Sequence, residues 1–234
     1  DASEVTIRAG ARTGERLVLV APGVAEGTRV PDDVRLVGAD ELRGGRRAWF
    51  HEEVAGRRYR ISATSFFQAR PDGAEALLQA VARALGDADV ATDRLVDLYG
   101  GVGLFAAGLG FASPVLVERS ASSVADARRN LDGLAATVVR SAVERWRPSR
   151  ADLVVADPAR SGLGRDGVRA VAAVGARRVA LVSCDPAALA RDLSLLSAAG
   201  YEPVGVEVVD MFPHTHHVEA VTAAVRRRTP GGGP

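Results

Sequence analysis

The chain has 234 residues, 47% of them hydrophobic, which is enough for one large domain or for one large domain and a small one. Its formal net charge of +1 excludes a polycation, although all 30 basic residues are arginine. A single cysteine excludes an internal disulfide. No apolar run reaches the roughly 20 residues of a membrane span and no signal peptide is visible, so we expect a cytoplasmic protein.

Short β-like segments, separated by Pro, Gly and Asp turns, fill the N-terminal part of the chain. The predicted strands are at residues 5–7, 17–20, 34–37, 48–50 and 59–61. Residues 1–70 are therefore predicted to form a small β-rich subdomain.

Strand and helix patterns alternate after residue 71, which indicates an α/β fold with a parallel sheet. Asp72 and Glu75 have the spacing of a capping box at the start of the first helix, and Gly86 would end that helix. The predicted strands are at residues 95–98, 115–117, 137–140, 152–156, 179–182, 204–209 and 218–225, and further helices at 104–109, 122–131, 167–174 and 187–199. Residues 71–228 form the second predicted domain, and residues 229–234 a disordered tail.

Cys184 follows a short apolar strand and precedes a helix that Asp185 would cap and Pro186 would begin. Open α/β sheets bind their ligands at such strand ends. The dipole of the helix favours an anion there, so we expect a lowered pKa for the thiol. The alternative is that Cys184 is a small buried apolar residue.

A glycine-rich turn follows the strand at residues 95–98. Gly101 and Gly103 would let the backbone approach a ligand closely, and Glu118 at the end of the next strand could hold a ribose. This pattern fits a dinucleotide or S-adenosylmethionine, and a plain tight turn is the alternative. Asp97 would repel a pyrophosphate but suits the amino group of a sulfonium ligand, which favours S-adenosylmethionine.

Two further acidic residues are candidates for the same site. Asp157 ends a strand on the edge that carries Cys184. Methylases of exocyclic amines have a stacking aromatic residue three positions after such an acid, and this chain has Arg160 there, which argues against methylation of an amine. Glu219 lies inside a β-like run, where a charge is costly unless it is paired or used, and a surface-strand glutamate is the alternative. The histidines at 214, 216 and 217 lack the partners of a tetrahedral zinc site, so no metal is predicted.

These motifs resemble those of the RNA 5-methyluridine methyltransferases, and they occur in the same order. The resemblance covers roughly residues 58–227 and the last two motifs are highly specific. The motifs are SFFQ (65–68), DLYGGVG (97–103), DPARSG (157–162), VSCDPAALARD (182–192) and DMFPHTHHVE (210–219).

The resemblance implies an S-adenosylmethionine-dependent enzyme that methylates C5 of a flipped uridine in tRNA or 23S ribosomal RNA, with Cys184 as nucleophile and Glu219 as base. It further implies a Rossmann-like class I methyltransferase sheet with one antiparallel strand near the C-terminus, an RNA-facing β-rich subdomain, and neither a metal nor a membrane partner. A monomer is the expected state. The residues expected to contact S-adenosylmethionine are Gln68, Tyr99, Gly101, Gly103, Glu118 and Asp157.

The chain departs from the family pattern at three positions. Gly100 stands where a cysteine is usual, and Arg70 and Asp185 stand where asparagine is usual. Asp185 would add a negative charge beside the thiolate and oppose its formation. The family's N-terminal RNA-binding β-barrel and the iron–sulfur cysteines of some members are not found in this sequence, which favours a fragment. Two alternatives stay open: a nicotinamide-dependent oxidoreductase, because the glycine-rich turn also fits a dinucleotide, and a catalytically weak RNA-binding fragment of a methyltransferase, which Asp185 favours.

Overall fold

The computed structural model describes residues 2–215 and 218–227. The N-terminal part contains β1 (Glu4–Ala9), β2 (Arg16–Ala21) and β3 (Val34–Gly38), which form a three-stranded sheet. After the short helix α1 (Ala39–Arg43), β4 (Trp49–Val54) and β5 (Arg57–Ser62) form an antiparallel hairpin. The β-rich character predicted for this part of the chain is thus observed, with strands at all five predicted places.

A seven-stranded sheet with flanking helices makes up the rest of the chain. Its strands and helices alternate as the sequence patterns predict, because the strands at the centre of the sheet are buried apolar runs that helices cover on both faces. In chain order the elements are α2 (Pro71–Leu85), β6 (Leu95–Leu98), α3 (Leu104–Gly108), β7 (Val115–Glu118), α4 (Ala121–Asn130), β8 (Thr137–Arg140), β9 (Leu153–Ala156), α5 (Gly164–Val174), β10 (Arg178–Ser183), α6 (Pro186–Ala198), β11 (Tyr201–Val209) and β12 (Glu219–Arg226).

The strand order of this sheet is β11-β12-β10-β9-β6-β7-β8. All neighbouring pairs are parallel except the two that involve β12, which runs antiparallel to β10 and to β11. The sheet therefore has the single antiparallel strand near the C-terminus that the sequence analysis predicts. All other carboxyl ends meet at one edge, as a doubly wound sheet requires for a ligand site.

The β4–β5 hairpin shares a hydrophobic core with the large sheet. Its Phe50, Tyr59 and Ile61 are buried in the same cluster as Leu77 and Val81 of α2. The other face of the sheet packs against α5 and α6 in a second cluster. The hairpin is thus attached to the large sheet by continuous apolar packing, which holds the loop after β5 against that sheet.

The predicted start of α2 is wrong. Pro71 is the first helical residue and Arg70 precedes it without a side-chain cap, so Asp72 lies inside the helix and does not cap it. Glu75 instead pairs with Arg12, which lies in the turn between β1 and β2. Proline favours the first helical position because it needs no N–H partner there. The C-terminal cap is Gly86, as predicted.

Other element ends differ from the predictions by a few residues. Helix α5 begins at Gly164, and β11 begins at Tyr201 and contains Pro203 beside a register shift. An edge strand tolerates proline because one side of its backbone needs no partner. The predicted disordered tail, residues 229–234, lies outside the described residues. None of the helices in the described ranges is long and apolar enough to span a membrane.

Candidate active site

A cavity of about 650 Å³ opens at the edge of the sheet where β6, β7, β9 and β10 end. The loop after β5 and the start of β12 complete its wall. The predicted site residues line it, with the exceptions of Gly103 and Asp97. These lining residues are Gln68, Tyr99, Gly101, Glu118, Asp157, Cys184 and Glu219.

The glycine-rich turn after β6 forms one wall of the cavity. Gly101 has φ of 53°, and a Cβ there would meet no atom within 4 Å, so the backbone faces open space. Gly103 is the N-cap residue before α3 and has φ of 94°, a left-handed conformation that glycine adopts without steric cost. Gly103 therefore contributes to the conformation of the turn without lining the cavity. At Gly100 a Cβ would lie 2.6 Å from Cγ of Leu116, so Leu116 occupies the space that a side chain at position 100 would need.

Glu118 holds this turn in place. Its carboxylate accepts hydrogen bonds from the backbone N–H of Gly101 at 3.1 Å and from that of Ser120 at 2.6 Å. The side chain is half-buried and lines the cavity. Each carboxylate oxygen has a second lone pair, so Glu118 can still accept hydrogen bonds from the hydroxyl groups of a ribose.

Asp97 does not line the cavity, contrary to its expected role as partner of a ligand's amino group. It is fully buried at the end of β6, where Oδ2 accepts a hydrogen bond from the backbone N–H of Ala106 at 3.0 Å. Its Oδ1 has no partner among the described residues. Burial raises the pKa of Asp97 to about 8, so the carboxyl is mostly protonated at neutral pH. This hydrogen bond links the end of β6 to α3.

Cys184 lies between β10 and α6 at the cavity wall and is half-buried. Asp185 caps α6 as predicted, since its carboxylate accepts a hydrogen bond from the N–H of Ala188 at 2.7 Å. The expected lowering of the thiol pKa is wrong. Burial raises the pKa of Cys184, and the negative charges of Glu219 and Asp157 raise it further, whereas the guanidinium of Arg160 and a backbone hydrogen bond oppose this increase.

Two carboxylates face the same part of the cavity. Glu219 is the first residue of β12 and only 7% exposed, so it does not lie on the surface. Burial raises its pKa to about 7, and Arg160 opposes this shift. The pKa of Asp157 is raised to about 7 by burial and by the charge of Glu219. Within the described residues neither carboxylate accepts a hydrogen bond, so both are available to a substrate.

The loop after β5 is fixed by a buried carboxylate that the sequence analysis did not identify. Asp126 of α4 is fully buried and accepts four hydrogen bonds, from Nε of Arg60, from N–H and Oγ of Ser62 and from Oγ of Ser65. Arg8 of β1 holds the loop from its other side by donating to the carbonyl oxygen of Ser65 at 2.8 Å. The signal in the sequence that could have identified Asp126 is its position as a charged residue on the apolar side of the amphipathic helix α4.

Four residues of this loop line the cavity, Thr64, Phe66, Phe67 and Gln68, and the last three differ in exposure. Phe66 is 72% exposed, Phe67 is half-buried and packs against Tyr59, and Gln68 is 9% exposed. The amide of Gln68 has no hydrogen-bond partner among the described residues, although it lines the cavity. Across the cavity the hydroxyl of Tyr99 donates to Glu144 at 3.0 Å, and this contact together with burial raises the pKa of Tyr99.

The histidine segment shows no metal cluster in its described part. His214 is exposed, and His216 and His217 lie outside the described residues. Across the described ranges no group of three His, Cys, Asp or Glu side chains could hold a metal ion.

Known proteins resemble the chain both in sequence and in fold. The family model for tRNA (uracil-5-)-methyltransferase matches residues 148–227, which include Asp157, Cys184 and Glu219. An RNA methyltransferase of Streptomyces avermitilis is 37% identical over 92% of this chain and 54% of its own length. An RNA methyltransferase of Gloeobacter violaceus is 42% identical over 76% of this chain and 40% of its own length.

The crystal structure of Pyrococcus abyssi tRNA (uracil-54, C5)-methyltransferase in complex with S-adenosyl-L-homocysteine has a similar fold. Its TM-score is 0.75 with 24% identity, over 94% of this chain and 59% of that one. The similarity confirms the predicted Rossmann-like methyltransferase fold and extends into the β-rich N-terminal part. The chain spans about half the length of the curated relatives it matches. On this evidence residues 148–227 carry a domain of the tRNA (uracil-5-)-methyltransferase family, and the chain as a whole is similar in sequence to RNA methyltransferases.

Proposed function

We propose that the chain is an S-adenosylmethionine-dependent RNA methyltransferase that forms 5-methyluridine in tRNA or 23S ribosomal RNA through a covalent bond between Cys184 and uracil C6. The observation that carries the proposal is one cavity lined by the glycine-rich turn, by Glu118 and by Cys184 together with Asp157 and Glu219. The match to this family and the bound S-adenosylhomocysteine of the Pyrococcus abyssi relative support the choice of methyl donor.

The cavity wall fits S-adenosylmethionine. The open space at Gly101 permits close approach of a ligand to the backbone, and Glu118 offers acceptors for a ribose. Gln68 presents an unpaired amide to the same space, and Tyr99 adds an aromatic wall. Bound S-adenosylmethionine supplies an electrophilic methyl group to its neighbour in the cavity. A carboxylate, an amide and an aromatic ring suit the ribose and the amino acid part of S-adenosylmethionine, whereas a pyrophosphate would be repelled by the carboxylate.

Cys184 provides the step that uracil cannot perform alone, because C5 of uracil is a poor nucleophile. The thiolate of Cys184 forms a bond from Sγ to C6, and the electron pair of the C5–C6 double bond moves into an enolate, which makes C5 nucleophilic. After C5 has gained the methyl group, it still carries its original proton. Loss of that proton restores the double bond, breaks the bond between Sγ and C6, and returns the thiolate.

Glu219 is the base that this sequence of steps needs. With a pKa of about 7, a substantial fraction of Glu219 is ionised at neutral pH and can accept the C5 proton. Arg160 favours the thiolate of Cys184 electrostatically, as the cation that lowers the thiol pKa. Asp157 accepts no hydrogen bond in the described part of the chain, so its carboxylate is available to contact the substrate or the methyl donor.

A second candidate function rests on the raised thiol pKa of Cys184, which disfavours the nucleophilic thiolate. In that case the chain is an RNA-binding fragment without turnover. The two candidates differ in covalent chemistry, which can be measured directly.

Covalent trapping with 5-fluorouridine RNA separates these candidates. Fluorine at C5 cannot leave as a proton, so the protein with S-adenosylmethionine and 5-fluorouridine-containing tRNA or 23S fragments should form an adduct stable in denaturing electrophoresis. Cys184→Ala should form no adduct while binding S-adenosylhomocysteine with the affinity of the wild type, measured by calorimetry. An adduct with Cys184→Ala, or 5-methyluridine formed by that variant, would overturn the mechanism.

A further inference from the structure

A cationic surface lies outside the cavity, on the β4–β5 hairpin and its neighbours. Trp49 of β4 is half-buried, and two guanidinium groups lie over its ring: Cζ of Arg60 is 4.8 Å and Cζ of Arg35 is 5.7 Å from the ring centroid. Arg47 precedes this tryptophan by two residues and is exposed. We refer to these four residues, Arg35, Arg47, Trp49 and Arg60, as the Trp49 patch.

The charge of this patch is poorly compensated. In the described part of the chain, Arg35 and Arg47 have no carboxylate partner within 4 Å, whereas their neighbour Arg46 pairs with Glu41. Arg60 pairs with Asp126 through Nε alone, so its two terminal nitrogens make no hydrogen bond within the described residues. Three arginines thus share one buried carboxylate, which leaves an excess of positive charge beside an aromatic ring.

The patch adjoins the candidate active site. Trp49 pairs in register with Ser62, the last residue of β5, and the chain then enters the loop that lines the cavity. The same Asp126 that binds Arg60 also binds Ser62, and one turn earlier in α4 Ser123 lines the cavity. A polymer bound in the cavity could therefore continue over this surface.

We propose that the Trp49 patch binds the RNA strand next to the nucleotide that enters the cavity. The proposal rests on the proposed function, which places a flipped uridine in that cavity. Guanidinium groups bind phosphate through paired hydrogen bonds, and an unstacked base beside the target can stack on an aromatic ring or a guanidinium plane. Arg35 and Arg47 bind the backbone phosphates, Trp49 orients Arg35, and the guanidinium planes over its ring offer the stacking surface.

The test uses the double variant Arg35→Glu/Arg47→Glu, since both side chains are exposed and neither supports the core. The matched control is Arg94→Glu, an exposed arginine without an ion pair in the described residues, at the amino edge of the sheet before β6. Affinity for fluorescein-labelled, unmodified tRNA transcripts is measured by anisotropy between 50 and 200 mM salt. Affinity for S-adenosylhomocysteine is measured by calorimetry as a check on folding.

The double variant should lose at least tenfold in RNA affinity at the lower salt, and the slope of log affinity against log salt should fall by about 2, because about one counterion is released per phosphate contact. Arg94→Glu and S-adenosylhomocysteine binding should remain unchanged. Equal RNA affinities for the double variant and for Arg94→Glu would overturn the proposal. Loss of RNA affinity in the double variant, without 5-fluorouridine trapping by the wild type, would support the patch and refute the proposed catalysis.

Discussion

Carboxylates at two places in the structure differ in how many hydrogen bonds they accept. Asp126, beneath the hairpin, is fully buried and accepts four hydrogen bonds, one of them from an arginine. Asp157 and Glu219, at the cavity, accept none among the described residues, and burial raises the pKa of each to about 7. The first arrangement stabilises the fold, and the second leaves acidic groups ready to react.

The difference shows that one set of carboxylates stabilises the fold and that another is available for the reaction. A buried carboxylate with its donors in place holds elements together, here α4, β5 and the loop that reaches the cavity. A buried carboxylate without donors costs free energy in its ionised form, and that cost shifts its pKa toward the range where a base is useful. Variants of the two groups should therefore change different measurements.

The largest expected effect is on turnover in Glu219→Gln. The amide keeps the shape of the side chain but cannot accept the C5 proton, so methyl transfer should slow by about 100- to 10,000-fold. The wild-type rate should fall as pH decreases through about 7, where Glu219 becomes protonated. The measurement is single-turnover methylation of RNA from pH 5.5 to 8.5. A variant with the wild-type rate would remove Glu219 from the mechanism.

Asp126→Ala should have the largest effect on stability. It leaves Arg60 and the two serines without their acceptor, which should cost about 3 kcal/mol in the free energy of unfolding. The melting temperature should fall by about 6–12 °C. The control is Asp132→Ala in the turn after α4, because Asp132 is 75% exposed in its pair with Arg129. Similar melting temperatures for the two variants would show that Asp126 does not anchor the hairpin.

Glu219→Gln should change stability in the opposite direction from Asp126→Ala. Folding raises the pKa of Glu219 from 4.5 to about 7, so the folded state binds the proton more tightly and wild-type stability falls as pH rises across that interval. At pH 8 the variant should be more stable than the wild type by about 2 kcal/mol, which is below the roughly 3 kcal/mol of the full shift because solvent in the cavity screens part of the charge. At pH 4 both side chains are neutral and the difference should vanish. Urea unfolding at the two pH values tests this, and a variant less stable at pH 8 would contradict it.

The smallest expected effect is at the cap of α6. Asp185→Ala removes the acceptor for the N–H of Ala188 and should cost about 1 kcal/mol. Asp185→Asn keeps an acceptor in the same place and should stay within about 0.5 kcal/mol of the wild type. Thermal unfolding of the two variants side by side is sufficient. Equal losses in both would mean that the charge of Asp185, and not its capping hydrogen bond, stabilises the helix.

Several features of the site were predictable because they depend on local sequence. Apolar runs that alternate with helical patterns predict a parallel sheet, and its carboxyl ends then share one edge. For this reason Glu118, Asp157 and Cys184 were expected to lie together, and the structure places all three at one cavity. The cap at Asp185 and the end of α2 at Gly86 follow from single residues with strong positional preferences.

Features that depend on burial were not predictable in the same way. The helix dipole at Cys184 is a local property, but the thiol pKa is raised because burial and two carboxylates from distant parts of the chain outweigh it. Asp97 was expected at the ligand and is buried behind the turn instead. The start of α2 was misplaced because Pro71 competes with Asp72 and Glu75 is taken by Arg12.

The sequence by itself determined the order of strands and helices, the glycine-rich turn and the family resemblance, since these depend on periodicity, turn residues and short motifs. Only the tertiary structure decided which carboxylates are satisfied, which titrate near neutral pH, and that Arg35 and Arg60 meet at Trp49. The physical reason is that desolvation and charge–charge interactions depend on distances between residues far apart in the chain, and those distances are set by packing.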